Sequence, residues 1–136
     1  MKKEALKRIF EFLEEKGEHN APFLWKWKNE IPLTEKDLNF EGDLNLFNTK
    51  ITSLPKGLKV KGNLNLAYSS ITSLPKGLEV GGELDLFYSK ITSLPEDLKV
   101  GGDLHIDITP LKKYTNKELR GMIKSGFIKG KIYRRS

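Results

Sequence analysis

Leucine, isoleucine and valine recur along the middle of this chain at fixed positions, once every twenty residues. The run from Gly42 to Lys61 returns at 62–81 and at 82–101 without insertion or deletion, and a fourth copy keeps step from Gly102 to Leu111. Leu38, Phe40 and Gly42 match the end of a copy, so a half-copy precedes the first. Six apolar columns result: Leu44/Leu64/Leu84/Leu104, Leu46/Leu66/Leu86/Ile106, Ile51/Ile71/Ile91/Leu111, Leu54/Leu74/Leu94, Leu58/Leu78/Leu98 and Val60/Val80/Val100. A single copy has nothing to bury these side chains against. Stacked copies bury them as continuous ribs, which is how a repeat solenoid gains its stability. Leu-x-Leu and Leu-x-Val are period-two signals and predict two short extended segments per coil. Leu-Pro-Lys-Gly between them predicts a type I turn with proline second and glycine fourth; the third copy has Glu96-Asp97 in place of Lys-Gly. The polar column Thr49, Ser69, Ser89 and Thr109 is expected to be a structural ladder, its hydroxyls satisfying backbone groups of the turning coil.

The two ends read as caps. Leu6, Ile9, Phe10 and Leu13 fall at 3/4 spacing within Lys2–Lys16 and predict an amphipathic helix closed by Gly17. Pro22-Phe23-Leu24-Trp25-Lys26-Trp27 then supplies aromatic surface to seal the first coil, the alternative being an exposed hook for a partner. Thr115-Asn116-Lys117-Glu118 is a capping box. It predicts a helix carrying Leu119, Met122 and Ile123 on one face and stopping near Gly126, after which Phe127-Ile128 and Ile132-Tyr133 add a short strand against the last coil. The expected architecture is an α+β repeat solenoid with a parallel β-sheet face: an N-terminal helical cap over 1–37, repeats over 38–111, and a basic helix–strand cap over 112–136.

The run Leu84-x-Leu86-x-x-Ser89-x-Ile91-x-x-Leu94-Pro95 resembles the leucine-rich repeat, in the short Leu-Pro-containing form of bacterial and bacteriophage proteins. The Val-x-Gly-x-Leu-x-Leu phrasing at each coil boundary, and the segment Tyr114 to Tyr133, resemble small phage-encoded examples. Hydroxyl residues stand where that family usually has Asn or Cys. The resemblance covers about 38–111 and implies the coil-stack fold. For function it implies a binding protein, and a phage-type inhibitor of a host defence protein, such as an anti-CRISPR protein, is one specific expectation.

Charge divides the chain unevenly. Residues 1–41 carry 8 basic and 9 acidic side chains and residues 42–109 carry 7 and 8, whereas 110–136 carry 9 basic against the single Glu118. The net charge of +6 therefore belongs to the C-terminal segment. Lys112, Lys113, Lys117, Arg120, Lys124, Lys129, Lys131, Arg134 and Arg135 are candidates for contact with nucleic-acid phosphates or an acidic partner. No recognition-helix, zinc-finger or RNA-binding motif accompanies them.

The strand leucines point inward, so alternate residues face out. Three outward columns follow: Asp43/Asn63/Glu83/Asp103, Asn45/Asn65/Asp85/His105 and Phe47/Ala67/Phe87/Asp107. None of these twelve positions is Lys or Arg, although like charges on adjacent strands are mildly destabilising. Phe47 and Phe87 flank the small Ala67, which predicts a shallow notch, and Tyr68 and Tyr88 follow immediately. Asp43, Phe47, Tyr68, Glu83, Asp85, Phe87, Tyr88, Asp103, His105 and Asp107 are the candidate docking face for a basic surface on another protein, a nucleic-acid-binding protein or nucleoprotein being one expectation. His105 beside Asp85 and Asp103 is weighed as a metal or acid–base site, but a flat open face neither excludes water nor orients a substrate. His19 stands alone in an expected loop and carries no case for a site.

The chain has no cysteine, which removes thiol catalysis, thiolate metal sites and disulfides. No apolar run approaches the ~18 residues of a membrane span, and the charged start lacks the apolar stretch of a secretory signal. The expectation is a cytoplasmic binding protein without cofactor, metal or catalytic activity, acting on another protein, with direct RNA or DNA binding through residues 112–135 as the alternative.

Overall fold

A computed structural model describes residues 20–134. The predicted helix over Lys2–Lys16 with Gly17, together with His19 and Arg135, lies outside the described residues. The chain winds into a β-solenoid. Each coil contributes two strands of two residues, and the coils stack into two five-stranded parallel sheets. One sheet runs β1 (Asn39–Phe40), β3 (Lys59–Val60), β5 (Glu79–Val80), β7 (Lys99–Val100), β9 (Phe127–Ile128). The other runs β2 (Leu44–Asn45), β4 (Leu64–Asn65), β6 (Leu84–Asp85), β8 (Leu104–His105), β10 (Ile132–Tyr133).

Pairing is in register at the repeat length: Leu44 faces Leu64, Leu64 faces Leu84, and Leu84 faces Leu104. Every residue of the six apolar columns is buried. Each strand pairs one buried residue with one outward residue, so the inner side chains of successive coils stack on one another as apolar ribs while the outer ones meet solvent.

The connecting turn differs from the type I expectation. Pro75 O accepts the Leu78 N–H at 3.3 Å and Pro95 O accepts the Leu98 N–H at 3.2 Å, so proline is first in the hydrogen-bonded turn. Glycine is then third in the first two copies, where Gly57 and Gly77 adopt φ of +76° and +79°, while Asp97 takes that place in the third copy without a positive φ. A positive φ at that position is what selects glycine.

Both caps close the ribs. Helix α1 (Asn20–Lys28) buries Phe23, which packs edge-on to Phe40 at 5.9 Å. Trp27 is half-buried and donates from Nε1 to Ser53 O at 2.8 Å, so the aromatic segment works as a cap. The short helix α2 (Glu35–Leu38) starts with a capping box from Thr34, whose partner Asp37 also takes both charged contacts of the buried Lys26 at 3.2 Å. At the other end a 3-10 turn (Pro110–Lys113) leads to α3 (Asn116–Met122), which the Thr115–Glu118 capping box starts as expected. It stops at Met122, short of Gly126.

The C-terminal strand residues are those the sequence indicated, but they make two strands where one was expected. Two strands form, one in each sheet: Val100 faces Ile128, and Leu104 faces Ile132. Phe127 to Tyr133 is thus a fifth coil edge, with Ile128, Gly130 and Ile132 in the Val, Gly and Leu columns. The inserted α3 lengthens its spacing from twenty residues to 28, as the Leu104–Ile132 pairing shows.

Candidate protein-docking face

The sheet β2-β4-β6-β8-β10 presents the residues singled out above, but their side chains do different work. Asp43 Oδ1 accepts the Asn63 N–H of the next coil at 2.7 Å, Asn63 Oδ1 accepts that of Glu83 at 2.8 Å, and Asp103 Oδ1 accepts that of Lys131 at 2.8 Å. This column is a coil-to-coil clamp. Glu83, one methylene longer, makes no such bond, and its carboxylate lies 3.5 Å from His105 Nε2. In the second column Asn45, Asn65 and Asp85 accept the N–H two residues on, from Phe47, Ala67 and Phe87, at 2.9–3.0 Å. Such Asx turns bend the chain out of the strand. His105 has the fourth place and instead stacks on Tyr133 at 5.0 Å with an interplanar angle of 13°.

The bend delivers the chain into a corner whose third residue is left-handed in every coil. Asn48, Tyr68, Tyr88 and Ile108 have φ of 55°, 57°, 56° and 53°. Asparagine tolerates this conformation; for Tyr and the β-branched Ile it costs on the order of 1–2 kcal/mol each. Around these corners the exposed rings form one array. Tyr68 sits 5.4 Å from Phe47 and 5.3 Å from Phe87, both edge-on, and stacks on Tyr88 at 5.1 Å. The expected notch is therefore absent: Ala67 is buried, and Tyr68 bridges the two phenylalanines above it. Phe47, Tyr68, Tyr88 and Ile108 remain between 44% and 54% exposed.

Asp107 follows in the Phe47/Ala67/Phe87 column, one coil beyond Phe87. Its carboxylate has no hydrogen bond or ion pair among the described residues, and Oδ1 is closed off from solvent. The hydroxyl column behaves as a ladder only in part. Thr49 and Thr109 donate to Leu46 O and Ile106 O at 2.9 and 2.7 Å, whereas the buried Ser69 and Ser89 hydroxyls find no partner. Among the described residues no three His, Cys, Asp or Glu side chains are placed to hold a metal ion. No described helix is long and apolar enough to cross a membrane.

Compared with known proteins, the chain matches no family model, no curated protein and no solved structure.

The basic segment separates into structural and free cations. Arg120 donates to Ile128 O and Gly130 O, both at 2.7 Å, tying α3 to the fifth coil edge. Arg134 donates to Tyr114 O and to Lys112 O, and to Asn116 Oδ1 at 3.0 Å. Lys113 and Lys129 lie over the Tyr114 and Phe127 rings at 5.2 Å. Lys112, Lys117, Lys124 and Lys131 are exposed and form no ion pair among the described residues. Sequence reasoning missed the outer face of the other sheet. There Lys59 pairs with Glu79 at 3.4 Å and Lys61 with Glu41 at 2.7 Å. The signal was available, because Lys59/Glu79/Lys99 alternate with the buried valine column.

Proposed function

We propose that this protein is a non-enzymatic interaction module that docks a basic surface of another protein against its acidic, aromatic sheet face. The carrying observation is the pair of corners in each coil. In the first two coils both corners put a residue at positive φ, and one has Gly57 and Gly77 there; the other holds that conformation in four successive copies, with Asn48 and then Tyr68, Tyr88 and Ile108. Folding alone favours Gly or Asn there, as in the first coil's Asn48. Large apolar side chains kept in solvent at an energetic cost are a mark of function. Clustered aromatics are also the usual anchors of protein interfaces. The resemblance to phage leucine-rich-repeat proteins supports a narrower form of the proposal: an inhibitor that occludes the basic groove of a nucleic-acid-handling defence protein, in the manner of anti-CRISPR proteins.

The test is the double variant Tyr68→Asn/Tyr88→Asn, which installs the residue the backbone prefers. It is expected to melt within a few degrees of wild type or higher, and to lose the partner in pull-downs from nuclease-treated host extract. A variant that retains the partner at wild-type yield overturns the proposal.

The unpaired lysines of the C-terminal segment favour a second reading, direct binding of RNA or DNA. Binding there would weaken steeply with salt, with a log–log slope near −0.7 per phosphate contacted on a single strand. A flat salt response removes it.

A further inference from the structure

The geometry points to an arginine-binding subsite at Asp107, Phe87 and Tyr88, so that the partner's anchor on this face is an arginine side chain. The inference rests on the docking face proposed above and adds the chemistry of its centre.

Three observations carry it. First, the column that holds Phe47, Ala67 and Phe87 ends in Asp107, an ionisable group where the other coils have apolar ones. The Tyr88 N–H donates to Asp107 O at 3.0 Å, which fixes the Asp107 backbone beside that of the aromatic pair in the preceding coil. Second, the Asp107 carboxylate has no donor: Oδ1 is shut off from water without a partner, and no ion pair compensates it among the described residues. Elsewhere on this face Asp43, Asp85 and Asp103 each accept a backbone N–H, so the orphan is a local exception. Third, the rings of Phe87 and Tyr88 lie 6.3 Å apart at a tilt of 43°, and the strand register sets Phe87 one coil from Asp107 in the same column. Tyr88 is about half exposed.

A carboxylate beside exposed ring faces selects a cation that is flat and rich in donors. With Oδ1 closed off, the outer oxygen Oδ2 is the acceptor left to a ligand, and a guanidinium donates to it while stacking on an aromatic face. An ammonium offers a point charge and prefers to keep its water. Glu83 and Asp85 in the preceding coil add negative potential and have no lysine or arginine between them and Asp107 in the strand pairing. The stacked His105–Tyr133 pair bounds the far side.

Two labelled peptides, Gly-Arg-Gly-Arg-Gly and Gly-Lys-Gly-Lys-Gly, titrated into the 15N-labelled full chain by NMR test the assignment. We expect the arginine peptide to bind several-fold more tightly and to shift the Asp107, Phe87 and Tyr88 amides first. Asp107→Asn and Phe87→Leu should each erase the preference. Glu79→Gln, an equal charge loss on the opposite sheet, should preserve it. The titrations are repeated in an Arg135→Gln background, so that the chain's own terminal arginine does not stand in for the probe. Equal binding of the two peptides, shifts confined to other residues, or a preference that survives Asp107→Asn overturns the inference. If that happens while Tyr68→Asn/Tyr88→Asn still abolishes partner capture, the face is an interface without an arginine anchor. If capture also survives, the docking proposal falls with it.

Discussion

One substitution made at three equivalent glycines should have three different costs. Gly62, Gly82 and Gly102 occupy the same corner of successive coils, and none has positive φ. A Cβ at Gly82 would sit 2.1 Å from Asn63 Oδ1, so the amide must swing away and release the Glu83 N–H it holds at 2.8 Å. Losing that bond costs about 1 kcal/mol. The remaining approach to Gly62 C, at 3.1 Å, brings Gly82→Ala to roughly 2 kcal/mol. At Gly62 the displaced acceptor is the charged Asp43, whose bond contributes about 1.5–3 kcal/mol. The Cβ would also meet Gly42 O at 2.7 Å, and that backbone atom cannot rotate aside, so Gly62→Ala should cost about 3–4 kcal/mol. At Gly102 the corresponding residue of the preceding coil is Glu83, which has no clamp to displace. The nearest atoms are Gly82 C and O at 3.0 Å, a crowding like that which Gly82 meets at Gly62 C. Gly102→Ala should therefore cost about 1 kcal/mol, the crowding alone. For 136 residues, 1 kcal/mol moves Tm by about 3 °C. Thermal melts followed by circular dichroism should therefore show losses of about 10 °C, 6 °C and 3 °C respectively. A Gly102→Ala loss as large as that of Gly82→Ala refutes the clamp. The stronger check is Glu83→Asn, which supplies the missing acceptor and should make Gly102→Ala costly, with a coupling of about 1–2 kcal/mol in the double-mutant cycle.

Two further outcomes follow from the caps. Arg120→Ala removes both guanidinium bonds that fasten α3 to β9 and β10; hydrogen exchange should show lost protection over 127–133 while the inner coils keep theirs. Lys26→Met leaves the Asp37 carboxylate buried without its cation. Breaking one side of a buried pair costs about 3–5 kcal/mol, so Cm in urea should fall sharply with m unchanged.

Legibility in the sequence followed the range of the signal. The six apolar columns were readable because each is set by burial at one fixed spacing, and every member is buried. The fifth coil edge was not, because α3 is inserted between Val100 and Ile128 and breaks that spacing. Phe-Ile-Lys-Gly-Lys-Ile-Tyr still carries the Val-x-Gly-x-Leu order, which matching by type alone would have found.

The acidic face shows the opposite failure, a pattern that was seen and given the wrong first cause. Like charges tolerated across strands suggested a binding surface, yet Asp43, Asn63 and Asp103 are short acceptors because only a short side chain reaches the next coil's N–H. The recurrence of Asp and Asn, with the amide as good as the acid, was the available sign that geometry mattered more than charge. Glu83, His105 and Asp107 depart from their columns' structural chemistry, and Tyr68, Tyr88 and Ile108 contradict their own backbone. A repeat explains what its copies share. These six residues are where the copies differ without any gain to the coil, and they lie together on one face and its adjoining corner, so it is there that the case for a partner rests.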